Sequence, residues 1–350
     1  MLFPATSYGR ALTYPGSASW QERTVEWVRE NGAATVVNTV ENWVYTRHAP
    51  SAGSPDAATV PAWLRATPVR ARADQTAPAP VAPLAMASSL PGEGIWVPGR
   101  RATNGTPATY TTVIRPDRAY PSVLVGAAWI RASDTTAHLV PGTRQPGGSW
   151  PGDARISKAD VPALVATFNS GWKYKDMDGG FYLDGRTAAP LRDGRASVVI
   201  DRNGAITIGQ WGRDVALTRS VTAVRQNLDL VVDKGRAAVG LNVNGAGRWG
   251  SAKNQLQYTW RSGLGTDAQG NLVYVAGGNL TLQTLADAMV DAGVQRGMEL
   301  DIHPGMTSFA TWAPTSNGSA VPTKLLPGMS KPADRYLVPD QRDFFYLTLR

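Results

Sequence analysis

The residues best suited to chemistry are Arg261-Ser262-Gly263-Leu264-Gly265 and, further along, Met298-Glu299-Leu300-Asp301-Ile302-His303-Pro304. They set one guanidinium and three titratable side chains beside glycine-rich backbone, a combination that suits an anionic substrate. The intervening residues supply geometry. Asn271 to Ala276 reads as a strand, Thr281 to Ala292 as a helix, and Gly297 to Ile302 as a second strand. The helix rests on Thr281 as N-cap, on Leu280 and Leu285 at staple positions, on Leu282, Leu285, Ala286, Met289 and Val290 at helical spacing, and on Gly293 as the stop. A strand-helix-strand unit brings side chains to the carboxyl ends of its strands. In the second strand Met298, Leu300 and Ile302 share one face, and Glu299, Asp301 and His303 the other. The first face is core; the second is either a site or simply solvated.

Composition bounds the partners. With 350 residues, 43% of them hydrophobic and 18% charged, the chain is globular and can bury one large core or two moderate ones. A net charge of +8 carried mainly by Arg favours forks for phosphate or carboxylate. The basic residues are scattered and match no helix-turn-helix, zinc-finger or RNA-recognition pattern, so nucleic acid is not the expected partner. The lack of cysteine excludes disulfides, thiolate catalysis and Cys-ligated zinc. No run is long and apolar enough to span a membrane, and the first six residues lack a signal-peptide pattern, so any signal or anchor is expected to lie outside this chain.

Residues 16 to 32 read as a helix, with Ser19 and Glu22 at capping-box spacing, and Thr35 to Tyr45 as a strand, so residues 1–65 form a helix-strand segment. A Pro/Ala-rich stretch at 66–91 is a linker or a strap laid over the surface. From 92 to 350 many short strands are punctuated by Asp178-Gly179-Gly180, Asp184-Gly185, Asp193-Gly194, Asn203-Gly204 and Asn244-Gly245, which read as hairpin turns. Runs such as Ala196 to Ile200 and Ala205 to Gly209 lie between them. The expected class is α+β, a mixed, mostly antiparallel sheet domain with the strand-helix-strand unit near the C-terminus.

Phe168-Asn169-Ser170-Gly171-Trp172, Arg261 before Leu272 to Val275, and Leu300-Asp301 running to Ser308 together resemble the marks of the phosphodiester glycosidase family. Those marks are a Phe-Asn-Gly-Gly-Phe turn, an Arg before a short strand, and a Leu-Asp-Gly-Gly-Gly-Ser stretch. The resemblance spans roughly residues 92–350, takes in Val224-Arg225-Gln226-Asn227-Leu228 and Arg342-Asp343-Phe344-Phe345, and is greatest to the bacterial, actinobacterial branch. It departs from the pattern at Ser170 and at Ile302-His303-Pro304-Gly305, where Pro304 removes an N–H that a glycine would offer to phosphate.

The resemblance implies hydrolysis of the glycosidic bond of a sugar-1-phosphodiester, on an envelope or extracellular polysaccharide. A phosphomonoester is a good leaving group, so the reaction needs a cation on phosphate and a carboxylate at the anomeric carbon. Arg261 fits the first role, with Ser262 beside it, and Asp301 or Glu299 the second; His303 shuttles a proton or binds phosphate. Asn169 at the Gly171 turn orients a sugar hydroxyl or phosphate oxygen, Ser308 donates to phosphate, and Trp172 and Trp260 are sugar platforms. Each has a plainer reading: an Asx-turn for Asn169, a surface ion pair for Arg261, a local cap for Ser308, and core packing for the Trp. No cofactor or metal is called for, and Asp176 and Asp178 offer too few oxygens for a calcium loop. Two rivals stay open. One is a metal-dependent phosphodiesterase with Asp301, Glu299 and His303 as ligands; the other is a glycan-binding module without catalysis.

Overall fold

Val125–Ile130 and Leu272–Leu280 are apolar or small at nearly every position, and strands of that kind need cover on both faces. In the computed structural model, which describes residues 3–14, 19–65, 76–85, 88, 90–243, 247–250 and 255–350, a helix covers one face of the main sheet and two smaller sheets cover the other. The fold is α+β with mostly antiparallel sheets.

The eight-stranded sheet runs, edge to edge, through β1 (Val97–Pro98), β2 (Thr109–Ile114), β3 (Val125–Ile130), β14 (Leu272–Leu280), β13 (Thr259–Thr266), β15 (Arg296–Ile302), β11 (Leu230–Asp233) and β12 (Arg236–Ala237). One five-stranded sheet runs through β7 (Arg186–Ala189), β6 (Phe181–Leu183), β10 (Val221–Gln226), β8 (Ala196–Asp201) and β9 (Ile206–Gln210). The other runs through β17 (Ala320–Lys324), β16 (Phe309–Pro314), β5 (Leu164–Asn169), β18 (Phe344–Leu349) and β4 (Thr135–Val140). All three sheets meet in one core, where Tyr274, Leu264 and Leu300 pack with Phe168 and Phe345 and with Val198 and Ile208. Asp184-Gly185 turns β6 into β7, with φ of 48° and 84°, and Asn203-Gly204 turns β8 into β9. Asp178-Gly179-Gly180 and Asp193-Gly194 lead into β6 and β8 rather than joining paired strands, and Asn244-Gly245 lies outside the described residues.

The strand-helix-strand unit is β14, α5 (Leu282–Asp291) and β15, with Thr281 capping the helix through a hydrogen bond from the Thr284 N–H. β13 is inserted between its two strands and pairs antiparallel with both. Leu282, Leu285 and Met289 of α5 are fully buried against Val273 and Val275, each contributing about 1.5–3 kcal/mol of hydrophobic burial. Gly263 and Gly265 make this approach possible. A Cβ on Gly263 would lie 2.6 Å from Met289 Sδ, and one on Gly265 would strike Val294 and lie 2.7 Å from the Arg296 carbonyl oxygen. The glycines beside Arg261 therefore serve helix packing.

The chain ahead of the sheets is helical: α1 (Phe3–Thr13), α2 (Trp20–Val28), α3 (Ala34–Arg47) and α4 (Ala62–Arg65). Ser19 and Glu22 form the expected capping box at α2, and Gly32, at φ 96°, turns the chain toward α3; residues 16–18 lie outside the described residues. The strand expected over Thr35 to Tyr45 is instead helix α3. Its β-branched residues find no sheet edge. Thr39 and Thr46 donate their hydroxyls to the carbonyls of Thr35 and Asn42, one turn back, at 2.7 and 2.6 Å, and Glu41 and Tyr45 come one turn apart toward the body. Of the Pro/Ala-rich stretch, 66–75 lies outside the described residues, and Ala79 and Val81 lie across the body, bonded to Trp96 Nε1 and to the Gly94 carbonyl.

A substitution pair tests the packing of α5. Gly265→Ala meets a backbone oxygen that cannot yield, whereas Gly263→Ala meets the end of a flexible Met289. In denaturant unfolding Gly265→Ala is expected to cost about 1–3 kcal/mol and Gly263→Ala clearly less. Equal costs would contradict this account.

Candidate active site

The Phe168 to Trp172 segment leaves the end of β5 as a turn that the body grips from two sides. Ser170 Oγ donates to Asp343 Oδ2 at 2.5 Å, and Arg225, itself paired with Asp343 at 2.8 Å, donates Nη2 to the Trp172 carbonyl at 2.6 Å. Asn227 Oδ1 accepts the Trp172 N–H at 3.2 Å while its Nδ2 donates to the carbonyls of Glu299 and Leu300 in β15. A Cβ on Gly171 would sit 2.8 Å from Asn227 Cγ, so glycine lets this clamp close. Arg225, Asn227 and Asp343 thus lock the turn to β15.

Asn169 has no hydrogen-bonding capacity left for a ligand. Its two amide hydrogens go to the Ser170 carbonyl (2.8 Å) and Ser262 Oγ (3.1 Å), and its oxygen accepts from Tyr274 (2.9 Å) and the Ser308 N–H (3.0 Å). Ser262 in turn donates Oγ to the Asp301 carbonyl at 3.1 Å. Asn169, Ser262 and Ser308 therefore form a buried layer beneath the Asp301 backbone.

Arg261 and Glu299 form a second buried layer. Their side chains have 0% exposure, Arg261 Nη1 lies 2.6 Å from Glu299 Oε1, and Arg261 Nε donates to the Leu280 carbonyl at 2.9 Å. Trp172 Nε1 donates to the other Glu299 oxygen at 3.3 Å. Burial pushes the Glu299 carboxyl up, against the pull of Arg261 and Trp172.

Asp301 and His303, two residues apart, reach a cavity of about 260 Å³. Asp301 Oδ1 accepts the Ile302 N–H at 2.9 Å and Oδ2 accepts Arg342 Nη2 at 3.0 Å. Burial pushes its carboxyl above the ordinary range, with Arg342 and Lys173 pulling the other way. His303 occupies the left-handed region at φ 76°. Its ring stacks on Tyr45 at 5.2 Å, and its Nδ1 is 3.2 Å from Thr259 Oγ1. Burial, reinforced by the Arg261, Arg29 and Lys173 charges, pushes the imidazole down to about 3, so it is neutral near pH 7 rather than a cation for phosphate.

Of the residues singled out in the sequence, Asp301, His303 and Trp172 line this cavity. Asn169, Gly171, Arg261, Ser262, Glu299 and Ser308 stand behind its wall as support. Trp260 packs over Gly278 and Gly328, outside the wall. The cations that do face the cavity are Lys173, Arg342 and Arg29, joined by Glu26, Glu41 and Tyr45 from the N-terminal helices. Sequence reasoning had assigned none of these six to the site. The i, i+4 spacing of Glu22, Glu26 and Glu30 was the available signal for the helices. Among the described residues no group of three His, Cys, Asp or Glu is placed to hold a metal ion.

Two measurements bear on this arrangement. Arg261→Leu leaves the Glu299 carboxylate buried without its partner, at an expected cost of about 3–5 kcal/mol in unfolding, most of which Arg261→Leu/Glu299→Leu should restore. For His303, the unfolded side chain takes up a proton near 6.5 and the folded one only near about 3. Stability is therefore fully present above the unfolded value and is lost as pH falls through this window. His303→Asn, which tolerates the same backbone, should remove that component, so its melting temperature should gain on the wild type between pH 7 and pH 4; a constant difference would contradict the buried neutral imidazole.

No family model matches the chain, and no curated protein sequence does. Among solved structures it is similar to a zebrafish N-acetylglucosamine-1-phosphodiester alpha-N-acetylglucosaminidase catalytic domain, auto-inhibited by its pro-peptide, at 17% identity and a TM-score of 0.44, over 73% of this chain and 87% of that one. It is also similar to a hypothetical protein from Synechocystis, at 12% identity and a TM-score of 0.37, over 65% of this chain and 59% of that one. A putative exported protein from Burkholderia pseudomallei matches at 14% identity and a TM-score of 0.36, over 65% and 74% of the two chains. Similarity at this level assigns no role to any residue of this chain.

Proposed function

We propose that this chain hydrolyses the glycosidic bond of a sugar-1-phosphodiester, carried on an envelope or extracellular polysaccharide, in the cavity walled by Asp301. The observation that carries the reading is one carboxylate, Asp301, beside two cations, Arg342 and Lys173, on the wall of one cavity. Sugar-1-phosphodiester cleavage asks for that combination: negative charge at the anomeric carbon and positive charge at the departing phosphate.

In this mechanism the bond between the anomeric carbon and the phosphate oxygen breaks, and its electron pair leaves with the phosphomonoester, whose charge Arg342 and Lys173 balance. Asp301 faces the anomeric carbon and activates the incoming water, whose hydroxyl completes the free sugar. Its raised proton affinity suits it to take that proton. Glu299, held by Arg261 and Trp172, is a positioning residue, and the pinned Trp172 ring forms a wall for the sugar. Neutral His303 relays a proton. The phosphate role first read for Arg261 passes to Arg342 and Lys173, because Arg261 is closed off behind Glu299.

The test is a turnover screen of sugar-1-phosphodiesters with product analysis for free sugar and phosphomonoester. Asp301→Asn should lower turnover on the order of a thousandfold or more with little change in substrate binding. Unaltered turnover in the folded variant would end the mechanism. Activity lost on exhaustive chelation and restored by divalent ions would favour the metal-dependent rival, and binding without any product from the wild type would favour the glycan-binding one.

A further inference from the structure

Glu22, Glu26 and Glu30 recur every fourth residue from α2 into the turn that follows, placing one carboxylate about every 6 Å along the helix. Each meets cations of the body. Lys331 Nζ lies 2.5 Å from Glu22 Oε2, Lys173 and Lys175 share Glu26, the latter at 2.9 Å, and Arg144 Nη2 lies 3.2 Å from Glu30 Oε2.

These contacts are shaped as well as charged. Glu22 Oε1 occupies the space a Cβ would need on Gly305, which sits at φ 85° in the turn after His303, and Arg335 reaches the carbonyl of the same glycine at 3.4 Å. Lys173 and Arg342 line both the cavity along this row and the Asp301 cavity, so the two are continuous. Burial and the neighbouring Arg342 both disfavour the Lys173 ammonium, which makes an anion at this point a requirement. Glu26 meets it, and Lys173 and Lys175 hold that carboxyl down at about 2 although burial alone would raise it.

We propose that the row from Lys331 through Lys173 to Arg144 is a track for a polyanionic chain leading into the Asp301 cavity, and that α2 is its resident competitor, with three glutamates standing in for the ligand's regularly spaced anions. The inference rests on the hydrolase reading for what happens in the cavity, and narrows its substrate to a polymer with repeated phosphodiesters. A single small sugar phosphodiester would leave Lys331 and Arg144 unused.

The track is tested by binding alone, on the full-length chain, with inorganic polyphosphate and inorganic phosphate as probes. Polyphosphate is expected to bind at least tenfold more tightly than phosphate, with strong salt dependence, and to speed amide hydrogen exchange in residues 20–28 as α2 is displaced. Glu22→Gln/Glu26→Gln/Glu30→Gln should tighten polyphosphate binding on the order of tenfold, since three ion pairs no longer compete. Lys331→Gln/Arg144→Gln should weaken it by a similar factor. Equal affinity for the two probes, or unchanged α2 exchange at saturating polyphosphate in the wild type, would overturn the proposal whether or not the variants fold. Because no turnover is measured, a chain that hydrolyses no sugar-1-phosphodiester yet shows these binding effects would refute the hydrolase reading and keep the track; the reverse result would do the opposite.

Discussion

Two ion pairs almost without solvent contact, Arg261 with Glu299 and Arg225 with Asp343, constrain everything around the cavity. Removing a charge from water costs several kcal/mol even after relaxation, and a partner offsets this only when geometry is close and the remaining hydrogen bonds are made. The first pair fixes β13 against β15 where β13 bulges, between Arg261 and Gly263. The second holds the turn carrying Trp172 through its backbone carbonyl. Sliding either strand by one residue would send a charged side chain to the opposite face. The register is thereby set, and Asp301, two residues beyond Glu299, has one place to go.

Between these pairs lies a neutral network that carries the same constraint to the backbone. Asn227 spans the Trp172 turn and β15, and Asn169 ties Ser262 to Ser308 and Tyr274. A buried network with every member satisfied is stiff, and a stiff shell is what keeps a single carboxylate oriented beside a cation. Asp301 and Arg342 are the points at which that shell opens to the cavity.

The N-terminal helices complete the cavity from outside by different physics. Their contact with the body is mostly charge against charge, with Tyr45 on His303 as its aromatic exception. Such contacts weaken with salt and yield to competing anions, whereas the sheets, joined by burial of Phe168, Tyr274 and Phe345, do not. Softness on one wall and rigidity on the other is the division of labour that a site admitting a large anionic ligand calls for.

Much of this was legible in the residues themselves. Thr281, the apolar spacing through Met289 and Gly293 defined α5, Ser19 with Glu22 defined the start of α2, and Asp184-Gly185 and Asn203-Gly204 marked real hairpins, because caps and turns are local and depend on a few residues in contact along the chain. Strand preference over Thr35 to Tyr45 was equally visible, yet the segment is helical, since β propensity counts only where a partner edge exists. Asp301 and His303 could be placed on one face of β15, but the sequence could not show that Gly263 and Gly265 face a helix, that Asn169 is fully bonded, or that Glu299 closes Arg261 off from the cavity. By itself the sequence determined element types, their caps and turns, and which side chains carry chemistry. The tertiary structure alone decided which of those side chains remain available, because availability depends on burial and on partners more than a hundred residues away, such as Asp343 for Ser170 and Glu26 for Lys173.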